Sequence, residues 1–186
     1  MTSSYYSIEE LKEIGFANIG HNVMISRKAS IYGADKISIG NNVRIDDFCL
    51  LSGRIQLGDY IHIAVYSALF GGSEGIEMKN FTTVSSRCAL YAVSDDYSGE
   101  AMTYPMAPDC FLRRINKKII LNKHVLIGTG STVLPGVEIG EGTAVGAMSL
   151  VNKSLGEWGI YAGIPCSRLK ERSKYLLELE QKFYES

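Results

Sequence analysis

Aliphatic residues return along this chain at every sixth position, with polar and turn-forming residues filling the steps between. Ile19, Ile25 and Ile31 open the series, and after a two-residue insertion Ile39, Ile45, Leu51, Leu57, Ile63 and Leu69 follow. A three-residue insertion within "FGGSEG" leads to Met78, Val84 and Leu90. The same step runs again from Ile115 through Leu121, Ile127, Val133, Ile139 and Val145 to Val151. Small or apolar residues stand four places after many of these, among them Val43, Cys49, Ser67, Cys88, Ser131 and Ser149. Glycine follows directly at Gly20, Gly40, Gly58, Gly128, Gly140 and Gly146. Neither a 3.6-residue nor a two-residue period produces this pattern. It predicts short strands joined by tight turns, each hexad supplying one flat face. Three hexads close a triangular coil, and coils stack by parallel pairing around a narrow interior.

The beat stops between Leu90 and Ile115, in "LYAVSDDYSGEAMTYPMAPDCFLRRI", where acids, aromatics and two prolines take over. A long irregular segment inside a regular domain is usually functional. The ends of the chain read as helices. Ser7-Ile8-Glu9-Glu10 is a capping-box pattern, and "SRLKERSKYLLELEQKFYES" places Leu169, Leu176, Leu179 and Phe183 on one helical face. That face is expected to cover the side or end of the coil, or to serve contacts between chains. The organisation expected is a single domain over 1–186. Its parts are an N-terminal helical segment over 1–18, about six coils over 19–165 with the loop 91–114, and a C-terminal helix over 166–186.

Composition narrows the partners. The 186 residues suffice for one well-filled core, and a net charge of −1 with no basic stripe gives no electrostatic case for nucleic acid. The polar start "MTSSYYSIEELKE" and the lack of any long apolar run predict neither a secretory leader nor a membrane span. Cys49, Cys88, Cys110 and Cys166 show no CxxC spacing, which suits reduced thiols and a cytoplasmic protein.

The stretch "IGTGSTVLPGVEIGEGTAVGAMSLVNKSL" followed by "YAGIPCSRLKE" resembles the hexapeptide-repeat acyltransferases, which are left-handed parallel β-helices. The nearest branch resembles the maltose and galactoside O-acetyltransferases and related sugar acetyltransferases of polysaccharide synthesis. The likeness covers residues 19–170. It implies an acetyl-CoA-dependent transferase acting on a hydroxyl or amine of a sugar or nucleotide-sugar, in O-antigen or capsule synthesis, and working as a homotrimer. The left hand comes from the resemblance, since ordinary parallel crossovers are right-handed.

Acyl transfer from a thioester asks for a base, donors for the oxyanion and a slot for the pantetheine arm. Histidine suits the first because its ordinary pKa lies near working pH. Of the three histidines, His21 and His124 fall at outward turn positions and are expected at the solvated surface, whereas His62 stands at a corner beside Tyr60 and Tyr66. In the resembled enzymes a catalytic histidine stands where the excursion leaves the coil. Here that place is Asp95, within "VSDDYSG". Two candidates follow, His62 as base or Asp95 with Asp96 doing that work. An ordinary aspartate is a weak base for a hydroxyl, so the expectation favours His62, with Asp95 orienting it or holding the acceptor. Ala64 occupies the position of the family's acceptor-binding asparagine. Tyr60, Asp96 and Tyr97 offer carboxylate and aromatic surface to a sugar. For the cofactor, Thr129, Gly146 and Ala147 match the positions along which the family lays pantetheine, and Lys153, Arg168 and Lys170 offer charge to the phosphates.

His62 and Asp95 end hexads on different faces, about 15 Å apart for four or five extended residues. A three-fold ring can bring such corners together from neighbouring chains, which predicts sites at subunit boundaries. Two alternatives compete. A zinc carbonic anhydrase on this fold needs three converging histidines, and His21, His62 and His124 lie on coils too far apart; no metal is expected. A catalytically silent scaffold would explain the absent corner histidine.

Overall fold

Each hexad forms a strand of two or three residues whose aliphatic member points inward, and a turn residue held in the left-handed backbone region then bends the chain to the next face. In the computed structural model, which describes residues 4–185, three parallel sheets form the sides of a triangular prism. The first face stacks Asn18–Ile19, Ile37–Ile39, Ile55–Leu57, Ile76–Met78, Ile119–Leu121 and Glu138–Ile139. The second stacks Met24–Ile25, Arg44–Ile45, His62–Ile63, Thr83–Val84, Leu126–Ile127, Ala144–Val145 and Gly159–Ala162. The third stacks Ser30–Tyr32, Leu50–Ser52, Ala68–Phe70, Ala89–Tyr91, Thr132–Val133 and Leu150–Val151. Six coils are complete and a seventh is begun, by the Ile139–Leu155 bridge and Gly159–Ala162.

Like residues stack on like inside. Ile25, Ile45, Ile63, Val84 and Ile127 file along the second face at 0% exposure, and neighbouring coils hold them one strand spacing apart, about 4.8 Å. A second internal file under the corner between the second and third faces is polar and satisfied. Ser67 Oγ donates to the Ser85 carbonyl, Cys88 Sγ approaches the Gly128 carbonyl at 3.2 Å, and Ser131 Oγ donates to the Gly146 carbonyl. Burial pushes the Cys49 and Cys88 thiols up, so they act as structural donors and not as acyl-carrying nucleophiles.

The three corners differ in residue type. The first, between the first and second faces, carries Asn22, Asn42, Tyr60, Phe81, His124 and Trp158 at positive φ; the second carries Phe48, Tyr66, Arg87 and Met148. The third turns on glycines such as Gly53 and Gly72. A Cβ on Gly53 would come within 2.7 Å of the Gly72 nitrogen, so the coils close there only without side chains.

The excursion leaves at this third corner. Val93–Asp95 pairs antiparallel with Arg114–Asn116 to make a two-stranded ribbon. Ile115, expected to restart the internal file, sits on that ribbon 40% exposed, and the core resumes with Ile119 and Leu121.

Helix α1 (Ile8–Ile14) begins with the expected capping box, Ser7 and Glu10 each bonding the other's backbone N–H, and buries Leu11. The first three residues of the expected N-terminal segment and the last of the C-terminal one lie outside the described residues. The C-terminal expectation needs correcting. Ser167–Glu171 is not helical but adds antiparallel to Gly159–Ala162, the open edge that the last coil presents. Leu169 is therefore 63% exposed on a strand. Helix α2 is confined to Tyr175–Glu185 and lies over the first corner.

Candidate active site

On the second face, residues either side of the buried aliphatic file point outward in two columns. Arg44, His62, Thr83, Leu126 and Ala144 pair strand to strand in one. Asp46, Ala64, Ser85, Gly128 and Gly146 follow in the other; each N–H bonds the coil above, as Ala64 does to Val84 and Ser85 to Ile127. His62 and Ala64, placed by sequence near an acceptor, thus share a face with Gly146, placed beside the cofactor. Sequence reasoning missed Ser85. It is half-buried, its hydroxyl has no partner among the described residues, and it stands one coil from Ala64. Its position three places before Cys88 in the hexad beat was legible, but nothing in a lone serine marks it.

His62 Nε2 lies 2.9 Å from Asp46 Oδ2, and Arg44 Nε donates to the other carboxylate oxygen at 2.7 Å. Burial works against the Asp46 charge, but His62 and Arg44 outweigh it and hold the carboxyl below the usual range. The imidazole is fixed through Nε2, and Nδ1 has no partner among the described residues.

Tyr60 does not join this face. It stacks on Phe81 at 4.7 Å, Phe81 stacks on His124 at 5.1 Å, and Phe183 of α2 meets Tyr60 edge-on at 5.3 Å. A corner residue at positive φ aims its ring along the prism, so coil stacking turns these rings into a ladder. His124, expected to be solvated, is 4% exposed, with Nε2 2.7 Å from Glu180. His21 is exposed.

Asp95 is exposed on the ribbon at the third corner, beside a cavity of about 340 Å³ that Tyr91, Ser94, Tyr97 and Thr132 help to line. Asp96 is committed to its own turn. It accepts from the Ser98 N–H and hydroxyl and faces Arg113 at 3.7 Å, and these hold its carboxyl below the usual range. Tyr97 is 90% exposed. His62, expected at a corner, lies in the second-face strand His62–Ile63, and within one chain the structure keeps it apart from Asp95 at the third corner.

Of the cofactor set, Gly146 is on the second face and Ala147 is exposed at the turn that follows. Thr129 Oγ1 donates to the Ser86 carbonyl at 2.6 Å and tightens the second corner. Arg168 and Lys170 cap the second face on the edge strand and not on a helix, with Arg168 paired to Glu171 at 2.7 Å. Lys153 is exposed just after the third-face strand Leu150–Val151. A larger groove of about 600 Å³ lies on the polar first face and holds none of the expected site residues. Among the described residues no group of three His, Cys, Asp or Glu side chains is placed to hold a metal, and no helix is long and apolar enough to cross a membrane.

A coil of hexads with an excursion at one corner and a file of small residues on one face defines a transferase of the β-helix type, and the chain belongs to the hexapeptide-repeat sugar acyltransferases. It is 46% identical over 183 residues to the dTDP-4-amino-4,6-dideoxy-D-glucose acyltransferase of Escherichia coli, covering 97% of this chain and 95% of that one. It superposes with a TM-score of 0.96 and 52% identity on AntD, an N-acyltransferase from Bacillus cereus, covering 100% of this chain and 99% of that one. That structure is of a single-residue mutant of AntD, in complex with dTDP-4-amino-4,6-dideoxyglucose and coenzyme A. A putative lipopolysaccharide biosynthesis O-acetyl transferase, WbbJ of Escherichia coli K12, is 29% identical over 152 residues, 79% of this chain and 74% of that one. No family model matches. The fold is the family's left-handed β-helix, and the silent-scaffold alternative does not survive: this is an acyltransferase.

Proposed function

We propose that the protein transfers an acyl group from acyl-CoA to the amino group of a dTDP-linked 4-amino-4,6-dideoxy sugar, at sites shared between the chains of a cytoplasmic homotrimer. The observation that carries the amine over the hydroxyl is the carboxylate at the third corner. A hydroxyl proton is held about as tightly as that of water, and an ordinary carboxylate is a weak base for it. An amine in its neutral form attacks with its own lone pair, and the nitrogen sheds a further proton only once the new bond has made it cationic. Free amines of this kind hold that proton at about 8–10, and the bonded cationic nitrogen holds it less tightly still. Asp95 suffices for that, and His62 is not needed as the base.

In this reading the nitrogen bonds to the thioester carbonyl carbon, the carbon–sulfur bond breaks, and the leaving thiolate takes up the proton Asp95 received. The relatives support the assignment. AntD was solved with one serine or one aspartate replaced, ten positions apart in its chain. Two such pairs occur here, Ser85–Asp95 and Ser86–Asp96. Ser86 is bonded to Thr129 at 2.8 Å and Asp96 to Ser98, which leaves Ser85 and Asp95 as the free pair. The free Ser85 hydroxyl suits donation to the oxyanion.

The outward residues of the prism support the trimer. The first face presents mostly polar residues (Ser38, Gln56, Glu77 and Glu138, with Ile120 among them), whereas the third presents Leu50, Ala68, Ala89 and Leu150, with Ser30 and Thr132 in the same column. The second corner exposes the stacked pair Phe48 and Tyr66 and, farther along, Met148. Three prisms meeting at that corner leave three clefts that widen outward. Each cleft has one chain's second face, with His62, Ser85 and Gly146, opposite its neighbour's third face, with Asp95 at the far end. The pantetheine arm fits the small column of Gly128 and Gly146, with Arg168 and Lys170 above it for phosphates. The three buried free thiols suit a reducing compartment. Relatives in lipopolysaccharide and colanic acid synthesis point to a surface polysaccharide as the destination of the product.

The test is thiol release from acyl-CoA with dTDP-4-amino-4,6-dideoxyglucose, run beside the same nucleotide sugar bearing a 4-hydroxyl. Release with the amine alone, with an amide product by mass, is the expected result. Equal release with both, or none with either, overturns the assignment.

A further inference from the structure

Between α2 and the second face runs a groove of about 440 Å³, walled by Leu126, Leu176, Leu179 and Phe183, with Thr83 and Arg172 among its polar edges. An acetyl methyl is close to water in size and takes up only about 30 Å³. Leu179 and Phe183 turn toward the groove yet remain 45% and 50% exposed, so apolar surface is left uncovered there. Its location ties it to the transfer site. Thr83 pairs with His62 on one side and Leu126 on the other, and lies two residues from Ser85 in the same coil. The Thr83 hydroxyl has no partner among the described residues. Arg172 gives one guanidinium nitrogen to the His124 and Gly142 carbonyls and has no carboxylate partner among them.

We infer that this groove receives the acyl chain of the donor and selects a hydroxylated chain of the butyryl class over acetyl; the inference rests on the acyl transfer proposed above. A thioester running along the Gly146–Gly128–Ser85 column reaches the reacting centre at the coil of Thr83. A chain longer than acetyl then has the groove beside it, with leucines for its methylenes and the Thr83 hydroxyl for a hydroxyl on the chain. AntD was solved with dTDP and 3-hydroxybutyryl-CoA, a donor of this size. The wall of the groove is movable by mutation, because Leu176, Leu179 and Phe183 all come from α2.

The experiment compares kcat/KM for acetyl-CoA, butyryl-CoA, 3-hydroxybutyryl-CoA and hexanoyl-CoA with one aminosugar acceptor. Each methylene seated in an apolar pocket is worth about 10–200-fold. The wild-type protein is therefore expected to favour 3-hydroxybutyryl-CoA over acetyl-CoA by about tenfold or more. Leu179→Trp, which fills the groove, is expected to lower that ratio by about tenfold, and Thr83→Val to erase the preference for 3-hydroxybutyryl over butyryl. Leu179→Ala, which enlarges the groove without bulk to accommodate, is expected to move the preference toward hexanoyl-CoA. A wild-type preference for acetyl-CoA overturns the inference and leaves the acyltransferase reading standing. So does a donor ratio that neither Leu179 variant changes. If no donor yields thiol with any aminosugar, the proposed function itself fails, and the groove assignment with it.

Discussion

Asp46 holds His62 through Nε2 at 2.9 Å while Asp95 stands free on its ribbon, and that difference separates a side chain fixed in the wall of a cleft from one able to accept a proton. For an amine acceptor, Asp95→Asn is expected to lower kcat by about 10²–10⁴, the range for losing a general base, with KM for acyl-CoA little changed. His62→Ala is expected to cost less than about tenfold. Steady-state kinetics on both variants checks this, and a larger loss for His62→Ala returns the base to the histidine. At this scale the sequence was only partly legible. Asp95, the base proposed above, was singled out by counting along the hexad beat to a corner where the resembled enzymes have a histidine. Tyr60 was expected to face a sugar; what the sequence did not show is that a corner residue at positive φ stacks on Phe81 in the next coil. Ser85 went unnoticed, since a half-buried serine gains meaning only from the column it shares with Gly128 and Gly146.

Helix α2 is fastened by a small polar cluster as well as by its aromatic face. Glu180 lies 2.6 Å from Lys123 and 2.7 Å from His124, with the Arg172 guanidinium on the backbone nearby. Burial opposes the Glu180 charge, but Lys123 and His124 outweigh it and hold the carboxyl below the usual range. A carboxyl lowered on folding stabilises the folded state above its unfolded value, about 4.3, and that stability is lost as pH falls through the folded value. Glu180→Gln is therefore expected to loosen α2 at pH 7, by roughly 1–3 kcal/mol for hydrogen bonds to a charged group. The difference from wild type should shrink toward zero well below pH 4. Hydrogen exchange over residues 175–185 at the two pH values reads it; a difference that persists in acid removes Glu180 as the fastening. The amphipathic pattern of α2 was visible in the sequence, but its start was not. "SRLKE" has good helix formers, and the open edge of Gly159–Ala162 overrides them by offering backbone partners.

The whole molecule was the most legible level, because the hexad period alone dictates stacked triangular coils. What no single chain displays is a site with every part assembled. The structure separates Asp95 at the third corner from Ser85 and Gly146 on the second face. The account therefore depends on neighbouring chains closing the cleft, and one measurement tests that directly. Asp95→Ala and Ser85→Trp, the second placing a ring across the donor column, are each prepared as inactive protein and mixed under conditions that exchange subunits. Random assortment in a three-fold ring gives about a quarter of the interfaces both wild-type residues. Recovery of about a quarter of wild-type activity is expected; a mixture no more active than either parent, with exchange confirmed by mass, rules out a site shared between chains.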